Sequence, residues 1–266
     1  MTSRDALALA ARELGRTAGE TPGLDAEVLL AAALLTDRTA LFLDPQRMLS
    51  EAEVDRFRAL VARRAEHEPV AYLTGRRGFR HLELTVDRRV LIPRPETEHV
   101  VEAALGLPQG ARVVDVGTGS GAIALALKHE RPDLEVMGTD VSAEALEVAR
   151  GNAERLGLQV RWLCGDLLVP PDVDAVLANP PYVADDAPLP PDVARYEPAG
   201  ALFGGRDGLE VYRRLVPRLV APFTALEVGE GQAGAVRAML EGAGMRTEVV
   251  DDLAGIPRVV VGRRDG

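Results

Sequence analysis

The chain of 266 residues has little cysteine, few aromatic side chains and no long apolar segment. Its one cysteine, Cys164, excludes an internal disulfide and a structural zinc site built from paired thiols. The longest uninterrupted apolar run, residues 28–35, is far shorter than the ~20 residues that cross a bilayer. The first 16 residues carry charges inside their apolar stretch, so we expect no signal peptide. These features favour a cytoplasmic protein that does not act at a membrane.

Positive charge is also scarce, since 31 basic residues stand against 41 acidic ones and the net charge is −10. Proteins that bind an extended phosphate backbone are usually basic, so this balance disfavours direct nucleic-acid binding. The exception is a stretch of 20 residues, 76–95, that holds six arginines and only two acids. These arginines are Arg76, Arg77, Arg80, Arg88, Arg89 and Arg94.

Two interpretations of this basic stretch stay open. It is either a solvated hairpin whose charge balances the acidic remainder, or a docking surface for an acidic protein. For the docking interpretation we single out Arg77 and Arg80. Arg94 lies beside Glu96 and Glu98, so we expect it to form a local ion pair.

Apolar spacing predicts an α/β protein of three segments. Residues 1–75 have helical periodicity, with Ser50 and Glu53 at the spacing of a capping box. Residues 76–95 partly alternate and predict a connecting β-hairpin that turns at Asp87 and Arg88. In residues 96–266 strands alternate with helices, which indicates βαβ units and a mostly parallel sheet. The last two strands have no helix between them, so we expect an antiparallel final strand.

Several details of the third segment can be compared with the structure. We expect helices over residues 95–107, 120–130, 143–156, 209–219 and 232–241. The acidic and proline-rich residues 185–192 predict a surface loop. Cys164 lies inside a predicted strand, so we expect it to be a small buried hydrophobic side chain.

A glycine loop follows the first strand of this α/β segment. Asp115, Val116 and Gly117 end the strand, and Thr118-Gly119-Ser120-Gly121 opens the next helix. Gly117 permits the tight turn, Gly119 lets a ligand lie against bare backbone, and Gly121 lets helix and strand pack closely. Asp140 ends the following strand, where a carboxylate can accept both hydroxyls of a ribose. This motif alone fits a nicotinamide dinucleotide and S-adenosyl-L-methionine equally well.

The tetrapeptide Asn179-Pro180-Pro181-Tyr182 distinguishes these cofactors. It follows the fourth strand of the α/β segment, so it faces the same crevice as the glycine loop. Asn179 supplies a side-chain carbonyl acceptor, and Tyr182 supplies a flat aromatic face. The prolines stiffen the loop, so its backbone carbonyls can point inward as further acceptors. Two acceptors beside a flat face suit a planar –NH₂ group. The combined pattern favours an N-methyltransferase that converts S-adenosyl-L-methionine to S-adenosyl-L-homocysteine.

Longer strings of residues resemble a known family over essentially the whole chain. They are Glu68-Pro69, Tyr72-Leu73, Gly75, Phe79, residues 90–98, residues 115–121, residues 179–182, Tyr196-Glu197-Pro198, residues 201–205, Asp207-Gly208, Ala254-Gly255 and residues 258–260. The string Leu91-Ile92-Pro93-Arg94-Pro95-Glu96-Thr97-Glu98 is the most specific of them. In these residues the chain resembles the peptide chain release factor N5-glutamine methyltransferases, the PrmC/HemK family. It departs from many members at Ala71 and from some members at Leu167.

The resemblance implies a class I S-adenosylmethionine-dependent methyltransferase fold, which is Rossmann-like with a seven-stranded, mostly parallel sheet. A small N-terminal helical domain, residues 1–75, would dock the substrate protein, and a hairpin, residues 76–95, would connect it to the methyltransferase domain, residues 96–266. The substrate would be the Gln side-chain amide in the Gly-Gly-Gln motif of bacterial class 1 release factors.

The resemblance also implies residue roles, none of which involves a metal. Asn179, Pro180 and Tyr182 would be catalytic, and with Pro181 they would hold the Gln amide. The cofactor would be bound by Gly117, Thr118, Gly119, Ser120, Gly121, Asp140, Asp166, Leu167 and Asn179.

Three alternatives remain at this point. An adenine-N6 nucleic-acid methyltransferase would also bind a planar –NH₂ group, but it needs a basic recognition surface or an added domain. A binding scaffold that lacks activity would not need Asp140 together with the Asn179–Tyr182 loop. A nicotinamide oxidoreductase has no use for that loop.

Overall fold

A computed structural model describes residues 1–17 and 20–264. The α-helices in these residues are, in chain order, α1 (Ser3–Thr17), α2 (Pro22–Ala33), α3 (Arg38–Leu43), α4 (Glu51–Ala65), α5 (Val70–Thr74), α6 (Glu98–Ala104), α7 (Ala122–Glu130), α8 (Ala143–Leu156), α9 (Pro191–Tyr196), α10 (Glu210–Leu215) and α11 (Ala233–Gly242). The strands are β1 (Arg76–Phe79), β2 (Leu82–Thr85), β3 (Arg112–Val116), β4 (Glu135–Asp140), β5 (Arg161–Cys164), β6 (Ala175–Ala178), β7 (Phe223–Glu227), β8 (Arg246–Asp251) and β9 (Pro257–Arg263). Within the described ranges, no helix is long and apolar enough to cross a membrane.

The chain forms two compact units. The first comprises Met1–Arg76 and Leu189–Tyr196, and the second comprises Arg77–Pro188 and Glu197–Gly266. Helix α9 therefore groups with the N-terminal helices, although the sequence predicted only a surface loop near it. The β-hairpin, apart from Arg76, groups with the second unit.

The first unit is a small helical bundle. Helix α4 begins with the predicted capping box, in which Ser50 and Glu53 each accept a hydrogen bond from the other's backbone N–H. Its core includes the fully buried side chains of Leu14, Leu29 and Leu30. A buried ion pair joins Arg64 to Asp25 of α2 at 2.8 Å, and it links two helices that lie far apart in sequence.

The second unit is built on a seven-stranded sheet with the order β5-β4-β3-β6-β7-β9-β8. Neighbouring strands from β5 to β7 are parallel, and β9 is antiparallel to both of its neighbours. The mostly parallel sheet and the antiparallel last strand are thus confirmed. The chain leaves β3 toward β4 on one side and later returns to β6 on the other. Ligands of open α/β sheets bind at such a switch point.

The sheet is covered on both faces, and β6 shows why its sequence is continuously apolar. Its four residues are all fully buried, and they alternate between two apolar clusters. Ala175 and Leu177 belong to one cluster, whereas Val176 and Ala178 belong to the other. A central parallel strand has no solvent-facing side, so its sequence lacks polar alternation.

The hairpin forms, but it turns earlier than predicted. Residues Arg80 and His81 make the turn, and Asp87 and Arg88 lie in a second turn beyond β2. The side chains of Phe79 and Leu84 are buried in the core of the second unit. These buried positions set the register of the two strands, because slipping it would expose them.

Arg80 does not have the exposure expected of a docking residue. Its side chain is only 11% exposed and pairs with Glu130, which raises the pKa of the guanidinium. Arg77 donates to the Pro93 carbonyl at 3.1 Å. The predicted ion pair of Arg94 exists, but its partner is Glu197 rather than Glu96 or Glu98.

Helix ends depart from the sequence-based expectation where glycine and proline intervene. Helix α7 begins at Ala122, two residues late, because Gly121 at its N-cap has a φ of +84°. The helix expected over residues 95–107 is a 3-10 turn, Pro95–Thr97, followed by α6. The helix expected over residues 209–219 ends as α10 at Leu215, and a 3-10 turn that contains Pro217 follows. Only the helix over residues 143–156 matches at both ends, because Ser142 and Gly157 cap it.

The expectation that Cys164 is buried was wrong. It is exposed, because β5 is an edge strand of the sheet and therefore has a neighbour on one side only.

Candidate functional site

The register of the sheet brings the predicted motifs together. Val116 pairs with Thr139 on one side and with Ala178 on the other. The residues that follow, Gly117, Asp140 and Asn179, therefore emerge side by side at the carboxyl ends of three adjacent strands. This alignment places the glycine loop, the predicted ribose acid and the Asn-Pro-Pro-Tyr loop around one crevice, as the sequence led us to expect.

The glycine loop has backbone angles that other residues rarely adopt. Gly117, Gly119 and Gly121 have φ values of +75°, +55° and +84°. A Cβ atom at Gly121 would lie 3.0 Å from Leu125 and 3.1 Å from Trp162, so this glycine allows the close packing that was predicted. Gly117 and Gly119 have open space around the Cβ position, which leaves their backbone accessible.

Asp140 is tied to the glycine loop by backbone hydrogen bonds. Its Oδ2 accepts from the Gly119 N–H at 2.9 Å, and its Oδ1 accepts from the Ser142 N–H at 2.9 Å. The two bonds fix the plane of the carboxylate and couple it to the loop. Asp140 thus lies where a ribose acid is expected and also supports the loop.

Asp115 is a fully buried carboxyl group directly beneath the loop. Its Oδ2 accepts hydrogen bonds from the Thr118 hydroxyl at 2.5 Å and from the Ala124 N–H at 3.2 Å. Its Oδ1 has no hydrogen-bond partner among the described residues. Burial, which disfavours the charged form, raises the pKa of Asp115 to about 7, and the nearby charge of Asp140 adds to this effect.

Asn179 is anchored through its amide nitrogen. Its Nδ2 donates to the Thr97 hydroxyl oxygen at 3.0 Å, and Thr97 is itself buried. With the nitrogen facing Thr97, the carbonyl oxygen Oδ1 is available to accept a hydrogen bond from a ligand. Pro180 is buried, and its missing N–H suits a loop that offers acceptors rather than donors.

Tyr182 is held in place through both its side chain and its backbone. Its hydroxyl donates to Glu227 Oε1 at 3.3 Å, and its carbonyl accepts from Gln232 Nε2 at 2.9 Å. Burial and the adjacent Glu227 raise the pKa of the phenol, so it stays protonated at neutral pH. The ring is therefore a neutral, oriented surface.

Residues 204–208 brace the loop from behind. Gly204 donates to the Val183 carbonyl at 2.8 Å, and Val183 donates to the Leu202 carbonyl at 2.9 Å. A Cβ atom at Gly204 would lie 2.5 Å from the Pro181 carbonyl oxygen, and one at Gly208 would overlap the Tyr182 carbonyl oxygen. Only glycine permits this backbone-to-backbone packing.

Asp166 and Leu167, the remaining predicted cofactor residues, follow β5. Arg214 forms an ion pair with the Asp166 carboxylate, and Arg218 donates to the carbonyls of Asp166 and Leu167. Leu167 has a φ of +46°, a left-handed conformation that is costly for a leucine. The two arginines hold this strained turn next to the carboxyl end of β4.

Sequence reasoning missed the residues that support the loops from beneath. Thr97, Glu227 and Gln232 contact Asn179 and Tyr182, yet they come from three separate parts of the chain. Glu197 is also buried, where it accepts from the Ile92 N–H at 3.1 Å and pairs with Arg94. The only available signal was that Thr97 and Glu197 lie in strings shared with the family.

The crevice suits a cofactor that carries positive charge. The buried Oδ1 of Asp115 has no hydrogen-bond partner in the part of the chain that the structure describes, and Asp140 presents a carboxylate beside accessible glycine backbone. An amino group and a sulfonium are stabilised near such acids, while the hydroxyls of a ribose can donate to Asp140. These residues fit S-adenosyl-L-methionine. Within the described ranges, no group of His, Cys, Asp and Glu is arranged to hold a metal ion.

Comparison with known proteins places these features in context. Residues 5–75 match the family model "PrmC N-terminal domain", and residues 98–191 match "Methyltransferase small domain". The chain is 40% identical to the release factor glutamine methyltransferase of Koribacter versatilis (strain Ellin345), over 99% of each chain. It is 43% identical to that of Moorella thermoacetica, also over 99% of each chain. A methyltransferase from Pyrococcus furiosus has the same fold, with a TM-score of 0.53 and 17% identity over 70% of this chain and 90% of that one.

Proposed function

The chain belongs to the release factor glutamine methyltransferase family, and from that premise we propose that it methylates the N5 amide of the Gln in the Gly-Gly-Gln motif of bacterial class 1 peptide chain release factors. The observation that carries the proposal is the anchored Asn179 amide, whose free carbonyl oxygen borders the same crevice as the glycine loop. A site with two acceptors beside an aromatic face suits a primary carboxamide.

The cofactor of this reaction is S-adenosyl-L-methionine, which supplies an electrophilic methyl group on a sulfonium. Gly117, Thr118, Gly119, Ser120 and Gly121 would line it, with Asp140 at the ribose and Asp166 and Leu167 at the adenine. The two backbone hydrogen bonds to Asp140 support this role, since they hold the carboxylate in place before the cofactor binds.

The Asn-Pro-Pro-Tyr loop, residues 179–182, is called the acceptor loop from here on. It would promote methyl transfer by orienting the substrate amide. A carboxamide nitrogen is a weak nucleophile, but it is unprotonated at neutral pH and needs no base to free it. Asn179 Oδ1 and the Pro180 carbonyl would accept the two amide hydrogens, with Pro181 and Tyr182 enclosing the group. Positive charge develops on the nitrogen during transfer, so these acceptors stabilise the transition state more than the ground state.

The N-terminal helical segment, residues 1–75, would dock the release factor. Its match to a family domain separate from the methyltransferase domain supports this role. The partner is a protein rather than nucleic acid, which agrees with the net charge of −10. A translation factor as substrate implies a cytoplasmic enzyme.

Mass spectrometry of release factors incubated with the protein and S-adenosyl-L-methionine tests this function. We expect a single added methyl group on the motif Gln. A release factor in which that Gln is replaced by Glu serves as the control and should stay unmodified. Methylation of both proteins would assign the activity to another residue, and methylation of neither would contradict the proposal.

A further inference from the structure

Glu227 is a buried acid beside the acceptor loop. It has no role in the function proposed above. It is the last residue of β7 and only 1% exposed. Its Oε2 has no hydrogen-bond partner among the residues described. A carboxyl group in this position is costly for the fold, so its retention requires an explanation.

The sheet register brings Glu227 level with Asn179. Ala178 of β6 pairs with Leu226 of β7, so the next residues of the two strands are neighbours. The backbone carbonyl of Glu227 accepts from the buried Tyr212 hydroxyl at 2.7 Å, which secures the end of the strand. The side chain is thereby held directly behind the acceptor loop.

Two hydroxyl groups lie beside the Glu227 carboxyl group. Tyr182 donates to Oε1, and the Thr97 hydroxyl lies close enough to favour the charged form of the acid. Thr97 in turn accepts from the Asn179 amide nitrogen. The carboxyl group therefore contacts Tyr182 directly, and Thr97 lies between it and Asn179.

The direction of these hydrogen bonds decides which atom Asn179 offers to a ligand. A hydroxyl group has one hydrogen, and an ionised carboxylate accepts it. The Thr97 oxygen can then only accept from Asn179, so the amide nitrogen faces Thr97 and Oδ1 points elsewhere. Once Glu227 is protonated it no longer requires that hydrogen, and Thr97 can donate to Oδ1 of a flipped amide.

We infer that Glu227 is a positioning residue for the proposed methyl transfer, because its ionised carboxylate acts through Thr97 to keep Asn179 Oδ1 available to the substrate amide. This inference rests on the proposed function. The hydrogen bond from Tyr182 to the same carboxylate would hold the aromatic face in register with that acceptor.

The titration of Glu227 falls in a useful range. Burial and, to a smaller extent, the charge of Glu96 raise the pKa of Glu227, whereas the Thr97 and Tyr182 hydroxyls and Arg258 lower it, and the resulting pKa is about 7. Arg258 is itself paired with Asp252 at 2.8 Å, which limits its effect. Tyr182 and Tyr212 both have a raised pKa and stay neutral there. The enzyme should lose activity as pH falls through this region.

Solution NMR of the free protein tests the coupling without any substrate. The side-chain amide signals of Asn179 should shift with a midpoint near pH 7 in the wild type and stay constant in Glu227→Gln. Thr97→Ser keeps the hydroxyl and should retain the titration, whereas Thr97→Val should abolish it. Signals that titrate equally in wild type and Thr97→Val, or that never titrate, would overturn the inference. The Thr97 pair keeps the test decisive should Glu227→Gln fail to fold.

The kinetic test is the pH profile of kcat at saturating cofactor. Glu227→Gln should lose the acidic limb and turn over roughly tenfold more slowly at pH 8, because a less well-oriented Asn179 aligns the substrate amide less well. KM for the cofactor should be unchanged. An acidic limb that persists in Glu227→Gln would belong to another acid, such as Asp115, and would contradict the inference. If wild-type protein gives no product, the proposed function fails, and the NMR titration then decides the coupling by itself.

Discussion

Asn179 is the side chain whose loss should separate cofactor binding from methyl transfer. Its amide nitrogen contacts Thr97 rather than the glycine loop, so truncation leaves that loop in place. We expect Asn179→Ala to lower kcat by ~10²–10³, the scale for one pre-organised polar group at a transition state. Affinity for the cofactor should change only a few fold. Calorimetric titration with S-adenosyl-L-homocysteine together with steady-state kinetics measures both, and wild-type turnover would contradict the proposed role.

Glu227 should also make stability depend on pH. Its pKa is about 7 in the folded protein against 4.5 for the ordinary group, so the folded state binds more protons between these values. The free energy of unfolding therefore falls as pH rises from about 4.5 to 7. Because Gln cannot ionise, the free energy of unfolding of Glu227→Gln should rise relative to that of the wild type by about 2–3 kcal/mol between pH 5 and pH 8.

Urea denaturation of both proteins at the two pH values measures this difference. The raised pKa of Asp115 should affect both proteins alike, so its contribution cancels in the comparison. An equal stability difference at pH 5 and pH 8 would show that Glu227 titrates normally.

At the scale of elements, the site depends on loops that pack backbone against backbone. Strands β3, β4, β6 and β7 align their carboxyl ends, but the precise path of the Asn-Pro-Pro-Tyr loop is set by residues 204–208 and by Gln232. The sequence predicted the strands because buried parallel strands are continuously apolar. It did not predict the bracing segment, because glycines at a close approach look like ordinary loop glycines.

Gly208→Ala tests this bracing, with Gly231→Ala as the matched control. Both glycines have a positive φ, +72° and +80°, so alanine is strained at either site. Gly231 has open space around the Cβ position, and its replacement should cost about 1–2 kcal/mol. At Gly208 the new methyl group would overlap the Tyr182 carbonyl oxygen. We expect a larger loss of stability there, together with a fall in kcat that the control lacks.

Equal losses of stability in the two variants, measured by urea denaturation, would mean that the Asn-Pro-Pro-Tyr loop moves to accommodate the new methyl group without further destabilisation. A lower kcat in Gly231→Ala would mean that backbone strain alone perturbs the site.

At the scale of the whole molecule, binding to the crevice should stabilise the fold by mass action. S-adenosyl-L-homocysteine at 100 times its dissociation constant should add about 2.7 kcal/mol to the free energy of unfolding and raise Tm, whereas NAD should not. Asp140→Ala should weaken this response, because the carboxylate supports both the ribose and the glycine loop. Glu135→Ala, an exposed acid at the other end of the same strand, should respond like the wild type.

Differential scanning fluorimetry with each ligand measures this response. A full Tm shift in Asp140→Ala would remove that residue from the cofactor site. A shift with NAD as large as that with S-adenosyl-L-homocysteine would contradict the assignment of the cofactor.

The sequence by itself determined the α/β class, the mostly parallel sheet and the two loops that meet at its switch point. Strand burial and glycine spacing are local signals, and the carboxyl ends of adjacent parallel strands necessarily share an edge. The hairpin turn, the exposure of Cys164 and the ion pairs of Arg80 and Arg94 were decided by packing. Each depends on a neighbour distant in the chain, such as Glu130 or Glu197, or on a place at the sheet edge.

The same division applies within the candidate site. Asn179 and Tyr182 could be predicted as site residues because they belong to four consecutive residues whose combined chemistry is recognisable without the fold. Thr97 and Glu227 could not, because they reach those residues only when β6 and β7 pair and the segment after Pro95 folds against them. Which amide atom Asn179 presents to a ligand depends on its hydrogen bond to Thr97. A hydrogen bond between residues far apart in the chain produces no recognisable sequence pattern.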